Sequence, residues 1–441
     1  MCRGEIGVAC DKQAEDEVPT NDKHQMNGKR AVIIGYDAVS PLGLDLEEQW
    51  RQAMQGRSGV GRLTRFAVND HFPVKIAGQV PAIDHLPYDF LKPREQARWI
   101  SPIFKYALLT VQRALARSGL QITPALAPRV AVTYSSAIGG LDAVLDADRK
   151  MIAREALPLP CANPNSCINM VSGRVSMLTG ATGPIVSTVT ACATGVTSMI
   201  IGAMMLEQNR ADVVLCGAVD FPLVEPIVAG FATMSGAYVP KEGQSEESPA
   251  LASRPFSIHR RGFVVSEGAG CVILASEAFA QAHGLDHRIA IAGWSMTSDA
   301  HHFVAPHFET VRRCIAESIQ QAGIPPQAVD AVNAHAAATR VGDKVEYDAL
   351  RAVFSSKLPP VTANKSLLGH AMGASSAIES IFTFQGMLAG VLPPTINYRP
   401  DPEISIDCVA QECRAVDQTY VLKNAFGFGG CNSCVVFERL W

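Results

Sequence analysis

The sequence has no uninterrupted apolar run of the about 18 residues that a membrane helix requires, so no membrane-spanning helix is predicted. Its first 27 residues carry many charges and lack the apolar stretch of a secretory signal. From these two absences we expect a cytoplasmic protein that does not associate with membranes.

The sequence also has no large excess of charge of either sign. It contains 38 basic and 42 acidic residues among 441, for a formal net charge of -4, which argues against a dedicated nucleic-acid binder. No phosphate-binding or dinucleotide fingerprint is present. The expected partners therefore include neither nucleic acid nor a bound nucleotide.

A disulfide framework is not predicted either. The twelve cysteines are scattered through a long chain that has no export signal, so buried, reduced thiols are the better interpretation. Cys431 and Cys434 have the spacing of a redox or zinc pair but no obvious second pair, and packing is predicted for them. The adjacent His301 and His302 would rarely converge on one ion, and no metal site is predicted.

The sequence does contain the alternation of an α/β protein. Short β-branched runs, such as residues 130–133, 185–189 and 213–215, alternate with helical stretches, which predicts a mainly parallel sheet covered by helices on both faces. Similar elements begin again after about Asp286. We predict a flexible extension over residues 1–28 and two similar halves over residues 29–286 and 287–441.

Cys192 is the candidate nucleophile. It lies in TACATG, residues 190–195, between a predicted strand and an almost wholly apolar helix over residues 193–206. A thiol at a helix N-terminus faces the positive end of the helix dipole, which predicts a lowered pKa, and the same backbone amides can hold an oxyanion. A buried structural cysteine is the alternative, and local sequence alone leaves the two open.

Two histidines are placed to assist. His335 ends an apolar strand, at the sheet edge where α/β folds bind ligands. His370 lies between two glycines at the start of an apolar helix, where a lowered pKa would keep the imidazole neutral as a hydrogen-bond donor. Lys365 and Glu379 could pair across this site, although a solvated surface lysine and ordinary packing histidines are the alternatives.

Several motifs in a shared order resemble the elongating β-ketoacyl-acyl carrier protein synthases, closest to the KAS II group of the thiolase superfamily. Besides TACATG they are PLG (41–43), GF (230–231), RPF (254–256), GF (262–263), EGAG (267–270), NAH (333–335), GD (342–343), KS (365–366), GH (369–370), PPTIN (393–397) and NAFGFGG (424–430). The resemblance implies a thiolase fold of two βαβαβ-type halves stacked in α-β-α-β-α layers.

The resemblance also implies the chemistry of the site. Cys192 would carry the acyl chain, and His335 and His370 would assist malonyl decarboxylation and stabilise the enolate that attacks it. Lys365 and Glu379 match the family's supporting pair. The backbone amide of Phe428 would complete the oxyanion hole, and its ring would gate the acyl pocket. Ile138 and Phe231 match acyl-pocket positions, and His302 matches a histidine near the family's active site.

The partners implied by the resemblance are an acyl carrier protein and a second subunit. Arg94 and Arg98 match two positions of the basic patch on which the family docks its carrier, although a solvated helix face is the alternative. A homodimer is expected, with a heterodimer with a related subunit as the other possibility. No cofactor is expected, because the substrates are carried on the phosphopantetheine of the carrier protein.

The sequence departs from the family pattern at several positions. Ala336 to Ala338 replace hydroxyl residues that hold the pantetheine arm and leave only Thr339, and Val304 stands where threonine is common. Carrier binding is therefore expected to be weaker or differently organised. Asp37, Ser257 and Arg261 also differ from the usual residues, which favours a specialised synthase.

Three rival functions remain open. Thiolases pair a histidine with a second catalytic cysteine and priming synthases pair it with asparagine, whereas this chain has His370. The third rival is a non-elongating partner that resembles a chain-length factor. Cys192 argues against this rival, because such partners usually lack the nucleophile.

Overall fold

The computed structural model describes residues 30–240, 248–355 and 357–440. The extension predicted over residues 1–28 lies outside the described residues. No helix in the described part of the chain is both long and apolar enough to cross a bilayer.

Most strands are formed by short apolar runs that are buried. They are β1 (Ala31–Val39), β2 (Val60–Arg62), β3 (Ile76–Gly78), β4 (Val130–Val132), β5 (Val213–Asp220), β6 (Gly268–Ser276), β7 (Ile289–Ser298), β8 (Ala331–Asn333), β9 (Val361–Thr362), β10 (Val391–Leu392), β11 (Arg414–Ala415), β12 (Tyr420–Gly427) and β13 (Cys431–Arg439).

The helices fall between them. They are α1 (Leu46–Met54), α2 (Pro93–Arg98), α3 (Pro102–Ser118), α4 (Leu141–Ile152), α5 (Ala162–Ser166), α6 (Asn169–Thr179), α7 (Thr194–Glu207), α8 (Glu225–Thr233), α9 (Glu277–Ala282), α10 (Phe308–Gln321), α11 (Arg340–Phe354), α12 (Lys365–Leu368) and α13 (Met372–Ala389).

The main sheet within these residues is mixed, in the order β4-β5-β6-β1-β7-β13-β12-β8-β9. Only the pairs β4-β5, β8-β12 and β8-β9 are parallel, and the other neighbours are antiparallel. The prediction of a mainly parallel sheet is therefore wrong. Strands buried on both faces have the same apolar composition in either direction, so composition did not distinguish the two cases.

The predicted internal repeat is visible in the strand order. The series β4-β5-β6-β1 and β8-β12-β13-β7 have the same sequence of one parallel and two antiparallel pairings. The two series meet where β1 pairs with β7 through Val32 with Ala290 and Ile33 with Ile289.

Three apolar cores place the helices relative to these two series. One core joins α3 and α6 to the first series, and another joins α10 and α11 to the second. A third core contains α7 and α13 together with strands of both series. The central position of α7 and α13 explains why most of their residues are buried, and the predicted five-layer α-β-α-β-α arrangement is confirmed.

The described cysteines form no disulfides. Cys216, Cys271 and Cys434 are buried as predicted, whereas Cys167 and Cys413 are exposed, contrary to the general expectation of buried thiols.

Candidate active site

Cys192 lies in a 3₁₀ turn, Ala191–Ala193, that leads directly into α7. The strand predicted over residues 185–189 is reduced to a single parallel bridge between Ile185 and Val132, so the chain reaches the nucleophile as irregular backbone. Ala191 has a positive φ of 48°, a conformation that is unusual for a residue with a side chain. The thiol is 6% exposed, at the entrance to the central helix layer.

Burial raises the pKa of the Cys192 thiol to about 12, and the prediction of a lowered pKa is wrong. Loss of solvation disfavours the thiolate more than its surroundings favour it. The positive charge of Lys365 and the backbone amides of Phe428 and of Cys192 itself partly offset the rise. The resting group is therefore a thiol, and its reaction requires a proton acceptor.

His370 lies within reach of that proton. Its Nε2 is 3.1 Å from Cys192 Sγ, and its Nδ1 is 3.0 Å from the hydroxyl of Ser375. Ser375 Oγ also accepts a hydrogen bond from the Ala371 amide at 2.7 Å, which fixes this hydroxyl at the start of α13. The imidazole is thus held between the thiol and one turn of a buried helix.

His335 lies next to His370. The two imidazole centroids are 5.7 Å apart, with the rings nearly perpendicular at 81°. Glu346 of α11 accepts hydrogen bonds from the His335 and Ala336 amides at 2.9 and 2.7 Å, and Asn424 of β12 donates to the same carboxylate. Sequence reasoning missed Glu346, which fixes the loop that carries His335.

Both imidazoles are neutral. Burial is the largest cause that holds the pKa of His335 and His370 well below the usual value, and the positive charges of Lys365 and Lys423 act in the same direction. The predicted neutral state agrees with these directions. A neutral imidazole carries one N–H that can donate a hydrogen bond to an oxygen gaining negative charge.

Two lysines and a carboxylate form a buried ion cluster beneath the histidines. Lys365 Nζ lies 2.6 Å from one oxygen of Glu379, and Lys423 Nζ lies 2.6 Å from the other. Lys365 also donates to the His335 carbonyl at 2.6 Å. The predicted contact between Lys365 and Glu379 is present. Lys423 was missed, although a lysine inside the apolar run of β12 was a usable signal.

The end of β12 packs directly on the nucleophile turn. A Cβ on Gly427 would lie 2.3 Å from the Thr190 carbonyl and 3.2 Å from the Cys192 amide. Only glycine permits this approach, which brings the Phe428 amide to the sulfur of Cys192. Two backbone amides therefore face one point, as an oxyanion site requires.

A cavity of about 500 Å³ opens onto these groups. Of the residues predicted for the site, it is lined by Cys192, His335, His370, Phe428, His302 and Thr339.

Two of these lining residues have local structural roles. The Thr339 hydroxyl oxygen accepts from the Gly342 amide and caps α11. His302 Nδ1 accepts from the amides of Val304 and Ala305, so its Nε2 carries the hydrogen.

Ile138 and Phe231 lie outside the lining of this cavity. They pack with Phe428 in a separate apolar cluster, and the Phe231 ring contacts Phe263 at 5.4 Å, which in turn contacts His370 at 5.3 Å. Phe428 belongs both to the cavity lining and to this cluster. Asp220, which sequence reasoning missed, fixes the Ile138 loop by accepting from its amide at 3.0 Å.

The predicted docking residues are not part of the cavity lining. Arg94 and Arg98 are exposed on α2 and do not line it. Arg98 is 3.7 Å from Glu95, which also pairs with Arg174. The structure thus brings the catalytic candidates together and does not include the two arginines in the cavity lining.

Comparison with known proteins identifies the family. The model of the β-ketoacyl synthase N-terminal domain matches residues 29–280, and that of the C-terminal domain matches residues 289–399. The chain belongs to the β-ketoacyl synthase family.

Two curated relatives narrow this assignment. The 3-oxoacyl-[acyl-carrier-protein] synthase 2 of Staphylococcus aureus strain COL is 33% identical over 420 residues, which cover 93% of this chain and 98% of the relative. The enzyme of the same name from Coxiella burnetii is 34% identical over 429 residues, covering 94% and 100%. The chain is of the KAS II type and is an acyl-transferring condensing enzyme of fatty acid or polyketide biosynthesis.

Solved structures have the same fold. A β-ketoacyl synthase from Burkholderia phymatum STM815 matches with a TM-score of 0.86 and 28% identity, covering 93% of this chain and 100% of that one. The type II polyketide ketosynthase of the AntDE:AntF complex, bound to its acyl-carrier protein, matches with a TM-score of 0.83 and 25% identity, covering 93% of this chain and 99% of that one. The ishigamide ketosynthase/chain length factor matches with a TM-score of 0.81 and 27% identity, with the same coverage of both chains.

Proposed function

We propose that this chain catalyses a decarboxylative Claisen condensation between an acyl group on Cys192 and a malonyl group on an acyl carrier protein. The observation that carries the proposal is the 3.1 Å contact between Cys192 Sγ and His370 Nε2, with His335 beside it in the same cavity. The product is a 3-oxoacyl thioester lengthened by two carbons.

The first step transfers the acyl group. The Cys192 proton passes to His370 Nε2 as the sulfur attacks the thioester carbonyl, and the oxyanion accepts hydrogen bonds from the Cys192 and Phe428 amides. The carbon–sulfur bond to the carrier breaks, and the departing sulfur takes the proton. This sequence starts from a thiol, as the raised pKa of Cys192 requires.

The second step releases carbon dioxide from the malonyl thioester. The breaking carbon–carbon bond leaves its electron pair in an enolate, whose oxygen accepts hydrogen bonds from the neutral imidazoles of His335 and His370. For His370 this step follows a change of tautomer that places the hydrogen on Nε2, with the Ser375 hydroxyl donating to Nδ1. Lys365, Glu379 and Lys423 act indirectly, because their net positive charge helps to keep both imidazoles unprotonated.

The third step joins the two units. The enolate carbon attacks the acyl carbonyl on Cys192, a carbon–carbon bond forms, and the oxyanion again lies at the two backbone amides. Collapse breaks the carbon–sulfur bond to Cys192, and the sulfur regains a proton from solvent.

We further propose roles for the residues around the reacting groups. Phe428 gates passage of the acyl chain toward Ile138 and Phe231, since it touches both the cavity and their apolar cluster. Thr339 and His302 contact the substrate arm on the cavity wall.

The proposed partners are an acyl carrier protein and a second copy of the chain. Arg94 and Arg98 present exposed positive charge to an acidic carrier. Ile185, Val186 and Val189 expose apolar side chains at a sheet edge, a surface that a homodimer would cover. A related subunit is the alternative, because the ishigamide relative is described with a chain length factor. The proposed site of action is the cytoplasm, and no cofactor enters the three steps.

Acyl loading tests this function directly. Purified protein is incubated with a panel of acyl carrier proteins and examined by intact-mass spectrometry, with Cys192→Ala as the control. The expected result is a mass increase of one acyl group in the native protein alone. Acyl loading that persists in Cys192→Ala, or no loading from any acyl carrier protein, would contradict the proposed condensing activity. Either result would favour the alternative, a non-elongating partner subunit.

A further inference from the structure

Asp220, the last residue of β5, joins two separate segments of the site through one buried carboxylate. Its Oδ1 accepts from the Ser136 hydroxyl at 2.7 Å and from the Ile138 amide at 3.0 Å. Its Oδ2 accepts from the Ala374 amide at 3.2 Å. The Ala137 amide lies 3.0 Å from Oδ1 and 3.3 Å from Oδ2. One oxygen thus faces the Ile138 loop, and the other faces the first turn of α13.

The first turn of α13 is also the part of the helix that holds His370. Ser375 follows Ala374 directly, and its hydroxyl is 3.0 Å from Nδ1 of His370. The Nε2 of the same imidazole is 3.1 Å from Cys192 Sγ. A series of direct contacts therefore leads from Asp220 through α13 to the nucleophile.

This turn is closely packed on its neighbours. A Cβ on Gly373 would lie 2.9 Å from Asp220 Oδ2. It would also lie 2.9 Å from Thr194 Cβ, in the first turn of α7, and 3.0 Å from Ala137 Cβ. The Ile138 loop, α7 and α13 thus meet around the Asp220 carboxylate.

The energy of the carboxylate depends on how these segments are placed. Its hydrogen-bond partners in the described chain are one hydroxyl and three backbone amides, none of them charged. A buried carboxylate is costly unless hydrogen bonds replace its solvation. Separation of the loop from α13 would break some of these bonds and leave part of that cost uncompensated.

We propose that Asp220 is a positioning residue that fixes the Ile138 loop and the start of α13 relative to each other, and so holds His370 against the nucleophile. It acts through the two segments that it joins. The inference rests on the proposed function, which assigns Ile138 to the acyl pocket and the transfer of the thiol proton to His370.

Two substitutions separate the two contacts. In Asp220→Asn the side-chain oxygen can still accept from the loop donors, whereas the new NH₂ group faces the Ala374 N–H, so the contact with α13 is lost. In Ser136→Ala the contact with α13 remains and one donor of the loop is removed. Asp330→Asn is the matched control, because Asp330 also accepts from two backbone amides, at the start of β12.

The probe is a series of iodoacetamides with N-alkyl chains of increasing length, and alkylation of Cys192 is followed by peptide mass spectrometry. The sulfur displaces iodide and the thiol proton passes to His370, so the rate depends on where the imidazole lies. Asp220→Asn should slow alkylation about 10-fold or more at every chain length, because displacement of a reacting group by about 1 Å can lower a rate about 100-fold. Ser136→Ala should instead change how the rate depends on chain length, and Asp330→Asn should change neither.

The sign of the effect distinguishes position from charge. Burial is the main cause of the raised pKa of Cys192, and the charge of Asp220 adds to it, so removal of that charge alone would speed alkylation. A second check uses His370→Ala. Adding Asp220→Asn to this variant should cause no further slowing, because the effect is exerted through the imidazole.

Alkylation of Asp220→Asn at the native rate or faster would overturn the proposal. The same conclusion would follow from equal slowing by Asp220→Asn with and without His370, from equal slowing by Asp330→Asn, or from an unchanged chain-length dependence in Ser136→Ala. The measurement needs neither a carrier protein nor an acyl thioester. Failure of acyl loading therefore contradicts the proposed function and leaves the result of this test in force.

Discussion

Glu379 accepts one ammonium group on each carboxylate oxygen, Lys365 on one side and Lys423 on the other, with all three side chains buried. The cluster has a net positive charge directly beneath two imidazoles. That charge lowers the pKa of both histidines. The proposed effect of the cluster on the reaction is therefore electrostatic and is exerted through the two imidazoles.

Lys423→Met tests this effect. Removing the cation should raise the pKa of His335 and His370 toward the usual value, because Lys423 lowers both. The acid limb of the pH profile of condensation should therefore move to higher pH. Breaking a buried ion pair costs about 3–5 kcal/mol of stability, so the profile is measured below the variant's thermal midpoint. Lys344→Met, on the partly exposed surface of α11, is the control and should leave the acid limb of the pH profile unchanged. An unchanged acid limb in Lys423→Met would contradict the electrostatic effect of Lys423 on the histidines.

Asp37 gives a prediction about stability. Burial raises its pKa to about 7, and its closest cation, Arg117 Nε, is 3.4 Å away. The folded state therefore holds a proton that the unfolded state, with a pKa of about 3.9, has released. Stability falls as the pH rises from about 4 to 7, and the full cost of burying the ionised carboxylate applies above that range.

Asp37→Asn should therefore be more stable than the native protein at pH 8. At about 1.4 kcal/mol per pH unit, the gain has an upper limit of about 4 kcal/mol, and it should vanish toward pH 4. Denaturant unfolding at both pH values measures it. Asp286→Asn is the control, since Arg288 lowers the pKa of Asp286 and its removal should bring no gain. Equal stability of native and Asp37→Asn protein at pH 8 would contradict the burial cost.

For individual residues, the sequence predicted which side chains belong to the site better than it predicted their pKa values. Cys192, His335 and His370 were candidates from their positions at element ends, and the resemblance of the ordered motifs was needed to choose them over packing residues. The pKa of Cys192 could not be predicted, because its direction depends on how much protein covers the sulfur. Lys423 was missed because its partner Glu379 is 44 residues away.

At the scale of elements, the turn at Cys192 and the loop at Gly427 form one unit. The close packing of Gly427 on Thr190 and Cys192 places the two proposed oxyanion amides without help from side chains. The geometry of the oxyanion site is therefore a property of backbone contact between β12 and the turn before α7.

Gly427→Ala should separate these two pieces of backbone. The added carbon would meet the Thr190 carbonyl at 2.3 Å, so the loop must shift and the Phe428 amide with it. Loss of one oxyanion donor lowers the rate by about 10²–10³, which acyl loading of Cys192 measures. Gly230→Ala on α8, where an added carbon meets nothing within 4 Å, should retain activity. Loading at the native rate in Gly427→Ala would contradict the assigned oxyanion site.

The long apolar helix after Cys192 was predicted well, and the irregular segment before it was not. The helix predicted over residues 193–206 is α7, shifted by one residue at each end. The strand predicted over residues 185–189 pairs only at Ile185. Its β-branched composition is that of a strand, but a partner for the remaining residues is absent from the described part of this single chain.

At the scale of the whole molecule, the reacting groups come from both series of strands. Cys192 lies in the turn before α7, which precedes β5 of the first series. His335 lies on the loop after β8 of the second series, and the buried ion cluster includes Lys423 on β12 and Glu379 on α13. The central helices α7 and α13 pack on both series. The repeated strand order thus explains why the nucleophile and its histidines meet at one cavity.

Assembly into a dimer is predicted to cover the exposed apolar edge. Val189→Lys places a charge on a side chain that is 46% exposed at this edge, and it should shift the protein toward monomer in sedimentation velocity. Leu251→Lys, at a residue 43% exposed elsewhere, should not. A native protein that is monomeric, or a Val189→Lys dimer as tight as the native one, would contradict this interface.

A single-turnover measurement shows whether Cys192 and the two neutral imidazoles perform one condensation. Protein preloaded with an acyl group on Cys192 is mixed with malonyl-carrier protein, and carbon dioxide, acyl-enzyme and 3-oxoacyl product are followed together. The acyl-enzyme is expected to disappear as carbon dioxide and product form, and His335→Ala and His370→Ala are expected to retain the acyl-enzyme while carbon dioxide release falls. Carbon dioxide release at the native rate in both variants, or product formation without loss of the acyl-enzyme, would contradict the proposed condensation.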